Sequence, residues 1–488
     1  MKINTLVTLS AIAVSLSVSA QNDLTFNQNI YTENSAKVNG QTVEFRAYEG
    51  IPYVKNPVDS KFQTLNIYVP EGYFKNHTIS GYTIQTAPIF LPNGVGGYMP
   101  SRPLTPKIDE HSHSANALLL ALQHGYVVAS PGARGRTSQN SKGVYTGKAP
   151  AAIVDLKAAV RYLHFNDKSI PGDANKIISN GTSAGGALSA LLGASGDQDI
   201  YDTYLEQLGA APASDKIYAV SAFCPITDLD HADAAYEWQF NGYNDYKKMD
   251  ISMLDYHIQR KETKGTLTKD QQIVSDALAS QFPGYLNGLK LHDSNGNPLT
   301  LDKNGNGSFK KYVISLIQDS AQSALDNNRD LSQFKWLTIT DGKVTNIDFD
   351  KYRTYAIRAK LPPAFDALDL SAGENELFGN ASTNAMHFTA YSSKNSSTDN
   401  SATAAANVVY MMNPLSFIQP DQQGIAPHWR IRVGTNDRDT SLAISAILAT
   451  RLENSDYDVN YHLTWDRPHS GDYNLDALFS WIDSISQN

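Results

Sequence analysis

Cysteine is nearly absent: Cys224 is the only one in 488 residues, which rules out an intramolecular disulfide and leaves no thiolate set for a zinc site. Stability must come from a hydrophobic core. No basic run occurs, and acidic residues exceed basic ones 49 to 40, a net charge of −9. Nucleic acids and anionic membranes are therefore poor partners, while neutral or phenolic small molecules stay open. Long apolar runs are missing too. The stretch from Thr5 to Val18 is too short and too rich in small residues to span a membrane. It follows a single early cation, Lys2, and ends in Val18-Ser19-Ala20, so residues 1–20 read as a signal peptide cleaved before Gln21. Export to the periplasm or the medium is the expected location, with no lipid-accepting cysteine to anchor the chain.

What is present points to a large enzyme-like fold. With 41% hydrophobic and 18% charged residues the chain can bury more than one compact core usually holds, so one large domain with an insertion is expected. The most informative stretch is Lys176 to Gly186, an apolar strand entering Gly181-Thr182-Ser183-Ala184-Gly185 and then a small-residue helix, Ala187 to Gly193. A Gly-x-Ser-x-Gly pentapeptide alone is weak. Between a strand and a helix, however, the glycines permit a sharp turn that exposes the serine, and the helix N-terminus favours developing negative charge.

Along the chain, residues 41–70 alternate polar and apolar, as antiparallel strands opening a sheet would. Ala87 to Leu91 reads as a buried strand running into Pro92 to Tyr98, whose unhindered amides could point at an oxyanion. A helix from Ala115 to His124 precedes a strand over 126–130, and an amphipathic helix, Ala151 to Phe165, is expected to pack one face on the sheet. Strand and helix alternation predicts an α/β fold, a mostly parallel sheet covered by helices, with the site at the carboxyl ends of the strands. The rhythm breaks after Cys224-Pro225. It resumes near Trp429 to Gly434, with a helix from Ser441 to Asn454, a strand over 459–465 and a last helix from Leu475 to Ser486. The expected division is 21–225 plus 409–488 as the catalytic domain, split by an inserted lid at 226–408 with a small core of its own.

An activated serine needs a histidine to take its proton and a carboxylate to fix that histidine's tautomer, and in this fold both follow the serine in the order Ser, Asp, His. Asp437 stands just beyond one late strand and His469 just beyond the next; Asp439 is the rival acid, and Asp437 is preferred because it follows the strand more closely. His462 lies inside a strand and His428 just before one, which suits structural roles. Other motifs stay bland. Asp302 to Gly307 imitates the start of a calcium loop, but its twelfth position is Val313, so a hairpin turn is expected. His111-Ser112-His113 and Asp230-His231-Ala232-Asp233 have no third partner in sequence, so surface or local hydrogen-bonding roles are expected. No metal or cofactor is called for, and oligomeric state leaves no mark.

The Gly181 to Gly186 elbow, Cys224-Pro225-Ile226 with Asp230 to Asp233, Glu374-Asn375-Glu376-Leu377-Phe378-Gly379, Asp437-x-Asp439 and His469-Ser470-Gly471-Asp472 together resemble the bacterial tannases of the α/β-hydrolase superfamily. The likeness covers elbow, lid and C-terminal core in the same order. It implies hydrolysis of galloyl esters, with depside bonds as an open extension, by Ser183, Asp437 and His469. It further implies that Lys360, Glu374 and Asp439 hold the three ring hydroxyls and that Ile226 contacts substrate. The oxyanion donors would be the amides of Ala184 and Gly97. Two alternatives are carried: a feruloyl or general carboxylesterase with the same triad, and a catalytically silent hydrolase fold that binds through its lid.

Overall fold

The computed structural model describes residues 22–109, 113–254, 257–399, 401–419 and 422–487; the expected signal peptide lies outside them, as do His111 and Ser112. In chain order the strands are β1 Thr32–Val38, β2 Gln41–Pro52, β3 Thr64–Pro70, β4 Pro88–Pro92, β5 Val127–Pro131, β6 Asp173–Thr182, β7 Ala219–Phe223, β8 Asp245–Leu254, β9 His257–Thr266, β10 Leu337–Thr340, β11 Lys343–Ile347, β12 His428–Gly434 and β13 Asp458–Thr464. Nine of them form one sheet in the order β1-β2-β3-β5-β4-β6-β7-β12-β13. The first three strands and the β3–β5 pair run antiparallel, and every later neighbour runs parallel. Parallel strands covered on both faces are apolar without alternation, and β4, β5 and β7 are accordingly buried at every position. This is the expected α/β architecture, and it brings the carboxyl ends of β4, β6, β7, β12 and β13 to one edge.

The helix Ala151–Phe165 differs from its expectation. It is buried almost all round, Asp155 and Lys157 included. Asp155 meets Arg134 at 2.7 Å and Lys157 meets Asp215 at 2.7 Å, with both members of the second pair fully buried. Burying charges is tolerable only when they are paired. The partners stand far off in sequence, so a polar stripe read as solvent-facing is in fact a second contact face.

Residues between β7 and β12 lie outside the main sheet. They hold the helices Leu229–Phe240, Lys269–Ala279 and Ser308–Asp326 and two hairpins, β8–β9 and β10–β11, which were not expected. Trp238 packs on Phe282 and Phe309 at ring distances of 5.3 and 5.7 Å. That cluster is continuous with the core under the sheet rather than separate from it. In the Asp302 turn the carboxylate accepts the amides of Asn304 and Asn306 at 2.8 and 3.0 Å, and Val313 is fully buried; it is a turn as expected, but it leads into the helix Ser308–Asp326 with no described strand on either side, so it is not a hairpin. Among the described residues no helix is long and apolar enough to cross a membrane.

Candidate active site

Ser183 sits between β6 and the helix Ala184–Ala194 with φ 60° and ψ −122°, a strained backbone for a residue bearing a side chain. The turn is possible because residue 181 is glycine: a Cβ there would stand 2.3 Å from the Gly185 carbonyl oxygen. The Ser183 amide donates to the Phe223 carbonyl at 3.0 Å, which pins the elbow to the end of β7. Asn93, after β4, completes the clamp. Its amide donates to the carbonyls of Asn180 and Gly185 at 3.2 and 3.1 Å and to the Ser189 hydroxyl at 3.0 Å, while its oxygen accepts the Val95 amide at 3.3 Å. The loop bearing Gly97 is thereby fixed to the elbow. Gly97 has φ +53°, and its carbonyl accepts from Arg136 Nε at 2.9 Å. Ala184 is the first helical residue, so its N–H has no acceptor within the helix.

Asp437 is fully buried just beyond β12, and its Oδ2 lies 2.8 Å from His469 Nδ1. Its other oxygen accepts the Asp439 amide at 3.0 Å. Burial alone would push the His469 imidazole down, but the Asp437 charge and hydrogen bond, helped by Asp439, outweigh it and hold the pKa above the ordinary value. The two rival acids are thus separated by geometry, with Asp437 against the imidazole and Asp439 elsewhere. His462 is pushed down by burial and by Arg432 and Arg430.

The loop carrying His469 is held against the serine strand by contacts that motif reading did not find. A Cβ on Gly471 would lie 1.7 Å from the Thr182 hydroxyl, so only glycine lets the loop lie flush on the residue preceding Ser183. Asn180 donates to Asp472 at 3.0 Å, and the Cys224 thiol donates to the Ser470 carbonyl at 3.2 Å. Cys224, Asp437 and His469 come within 4.8 Å of one another. Burial and the Asp437 charge push the thiol well up, in keeping with its role as a protonated donor to Ser470.

His469, Asp439, Lys360 and Glu374 line one cavity of about 900 Å³, which β8 and the helix Lys269–Ala279 also wall. Ile226 is buried just after β7 and is not among the residues lining it. The Tyr236 hydroxyl joins two of the arms: it donates to the Arg438 carbonyl at 2.9 Å and accepts the amides of Ala359 and Lys360 at 2.9 and 3.1 Å. Lys360 Nζ stands 3.9 Å over the Phe365 ring. Beside Glu374, Asn375 is buried and donates to Asp366 at 2.7 Å, and Asp366 also accepts from His387, Phe388 and Thr389. Asp233 receives the amides of Phe365 and Asp366 at 2.7 and 3.1 Å, and burial pushes its carboxyl up to about 7. Arg136 pairs with Glu376 on the Glu374 helix while holding Gly97, so one guanidinium links both sides of the site.

The Asp230 to Asp233 motif gains the third partner its sequence lacked. His231 Nδ1 lies 3.0 Å from Asp228 and 3.4 Å from Asp230, and its ring stacks on Tyr285 at 3.6 Å. Burial opposes protonation there, yet the two carboxylates lift the imidazole to about 10. Asn413 donates to both acids at 2.9 and 3.0 Å, so the cluster is saturated by local hydrogen bonds, as expected of it.

The family model BD-FAE matches residues 106–277. No curated protein matches the chain. Among solved structures, the tannase of Fusobacterium nucleatum superposes with a TM-score of 0.91 at 50% identity, covering 95% of this chain and 99% of that one. A tannase from Lactobacillus plantarum gives 0.92 at 44% identity over 95% and 100% of the two chains. A tannin acyl hydrolase solved in complex with ethyl gallate gives 0.89 at 45% identity over 95% and 99%. Identity at this level across nearly the whole length, with the fold and the order of motifs described above, places the sequence firmly: the chain belongs to the bacterial tannases, ester hydrolases built on the α/β-hydrolase fold.

Proposed function

We propose that this protein hydrolyses galloyl esters, releasing gallic acid, through an acyl-enzyme on Ser183. The observation that carries the proposal is the Asp437–His469 pair, 2.8 Å apart, at the edge of the cavity that Lys360, Glu374 and Asp439 also line. His469 Nε2 takes the Ser183 hydroxyl proton, the alkoxide attacks the ester carbonyl, and the amides of Ala184 and Gly97 stabilise the oxyanion. Collapse expels the alcohol, which receives the proton from His469. Water, deprotonated by the same imidazole, then attacks the galloyl-serine ester, and the tetrahedral intermediate breaks to gallate and free Ser183. Asp437 fixes the tautomer that donates from Nδ1 and offsets the imidazolium charge.

Three adjacent phenols carry donors and acceptors that an ammonium and two carboxylates can satisfy together. A ring without those hydroxyls would leave the charged groups unpaired, so discrimination can be large. Residues 226–408 act as the lid over this pocket and residues 1–20 as the export signal in the same proposal, with small galloyl esters as partners and no membrane anchor. Relatives solved with ethyl gallate and with 3,4-dihydroxybenzoate support the phenolic substrate class.

The test is hydrolysis of methyl gallate beside methyl ferulate and a short acyl ester, with Ser183→Ala as control. A strong preference for gallate, lost by several orders of magnitude in the variant, is expected. Equal rates on all three esters would keep the hydrolase and discard the phenol-binding pocket. No turnover, with no fluorophosphonate labelling of Ser183, would leave a silent binding protein.

A further inference from the structure

A second cavity, of about 540 Å³, lies between the helix Ala151–Phe165, the segment 145–150 leading into it, and the Phe378–Ala381 turn. Its rim at Gln207, Asn380, Thr403 and Ala405 is exposed, so it opens to solvent. Among the described residues no aspartate or glutamate lines it, in a chain that has 49 of them, whereas Arg134 and Lys148 both do. Arg134 is neutralised by Asp155 at 2.7 Å. Lys148 is not. It is only 6% exposed, its ammonium donates to the Asn384 side-chain oxygen at 2.9 Å and stands 4.2 Å from the Tyr145 ring centroid, and no described carboxylate pairs with it. Of the other buried cations, Lys157 and Arg358 each have a carboxylate, Asp215 and Glu237, whereas Arg430 has none and lies over the Phe223 ring, away from this cavity. Burial, with the nearby Arg136, brings the Lys148 amine down to about 8, so near neutral pH it is still largely protonated. The remaining walls are chiefly apolar, Pro150, Val154, Phe378 and Met386 among them, and the volume falls within the range of small-molecule sites.

One uncompensated ammonium, aromatic faces and an acid-free lining are the complement of a flat monoanion. We propose that this cavity binds an aromatic carboxylate, its carboxylate on the Lys148 ammonium and its ring against the apolar walls. Gallate belongs to that class, and this link alone rests on the proposed esterase reaction. The wall is continuous with the catalytic pocket: the Ala149 amide donates to the Leu377 carbonyl at 2.9 Å, at the end of the short helix that carries Glu374.

Benzoate is the probe, because it lacks the ring hydroxyls assigned above to Lys360, Glu374 and Asp439. Calorimetric titration of the whole chain should show one saturable benzoate site, with uncharged benzamide at least about tenfold weaker. Lys148→Met should weaken benzoate by at least about tenfold, and Glu374→Gln should leave it unchanged. If Lys148→Met does not fold, Ala405→Trp at the exposed rim keeps the ammonium and should close the mouth. No saturable site, equal affinity for benzamide, or binding that is lost in Glu374→Gln and kept in the other two variants would each overturn the proposal. The titration needs no turnover, so it can fail while gallate-ester hydrolysis stands, and the reverse.

Discussion

Removing a single oxygen, by Tyr236→Phe, tests whether the pocket is held together as described. Tyr236 is fully buried, and its hydroxyl makes three hydrogen bonds, to the Arg438 carbonyl and from the amides of Ala359 and Lys360. Phenylalanine fills the same space, so no cavity opens, but two amides and one carbonyl lose their partner. At about 1 kcal/mol net per bond, the expected cost is about 3 kcal/mol of stability, read as a lowered urea midpoint. The kinetic signature is more specific. The Lys360 strip loses two bonds while the Asp437–Asp439 turn keeps its own internal bond, so relaxation should carry Lys360 away from the other groups proposed to hold the phenols and leave the Asp437–His469 contact in place. Displacement worth about 1.4 to 2.8 kcal/mol in the transition state lowers kcat/KM on methyl gallate about 10- to 100-fold. A short acyl ester, which does not use those groups, should lose less than about threefold. Equal losses on both esters, or an unchanged urea midpoint, would refute the joining role.

Other perturbations follow from the same geometry. Under the proposed mechanism His469 must be neutral to act as base, and its pKa is raised, so kcat/KM should fall as pH drops through a value above the ordinary histidine range; Asp437→Asn removes the charge that raises it, leaves the opposing burial, and should move that limb to lower pH while cutting kcat. Gly471→Ala places a methyl group on the Thr182 hydroxyl and should displace the His469 loop, lowering kcat on gallate and simple esters by the same factor with intact far-UV circular dichroism. Asp215→Asn strips the fully buried Lys157 of its counter-charge and should cost about 3–5 kcal/mol in urea unfolding, with no change in ester preference.

The sheet was legible because its parallel strands are short apolar runs bounded by turn residues, and the helix Ala151–Phe165 because its aliphatic spacing is regular. The β8–β9 hairpin was not legible. Its Asp245-Tyr246-Lys247-Lys248 start and Lys261 to Thr266 end carry charge on both faces and give no alternation. The β10–β11 hairpin did leave a signal: Asp341-Gly342, both with positive φ, joins Leu337–Thr340 to Lys343–Ile347, an Asp-Gly turn between two short strand-forming stretches. In the candidate site, Ser183, Asp437 and His469 were legible as candidates because each stands just past a strand end. Tyr236, Asn93 and Cys224 were not, because the partners they reach across the site lie 87 to 246 residues away in sequence and are mostly backbone atoms that carry no residue identity.

Under the proposed mechanism, the spacing of Asp437 and Asp439 lets one short turn serve two tasks. The Asp439 amide donates to Asp437 Oδ1 at 3.0 Å, which folds the chain back on itself after β12 and leaves Asp437 Oδ2 free for the imidazole. That fold-back leaves the second carboxylate lining the cavity while the first is fully buried beneath the histidine. Between them, the Arg438 carbonyl is the acceptor of the Tyr236 hydroxyl, so the turn is tied to the Lys360 strip by its middle residue. Under the proposed mechanism, the acid that orients the base and an acid that reads the ring therefore cannot move independently. A substrate that pulls Asp439 into place also sets the position of His469, which predicts that substitution of Asp439 by Asn lowers kcat as well as raising KM for gallate esters. A pure KM effect would show that the two carboxylates, despite the shared turn, are mechanically separate.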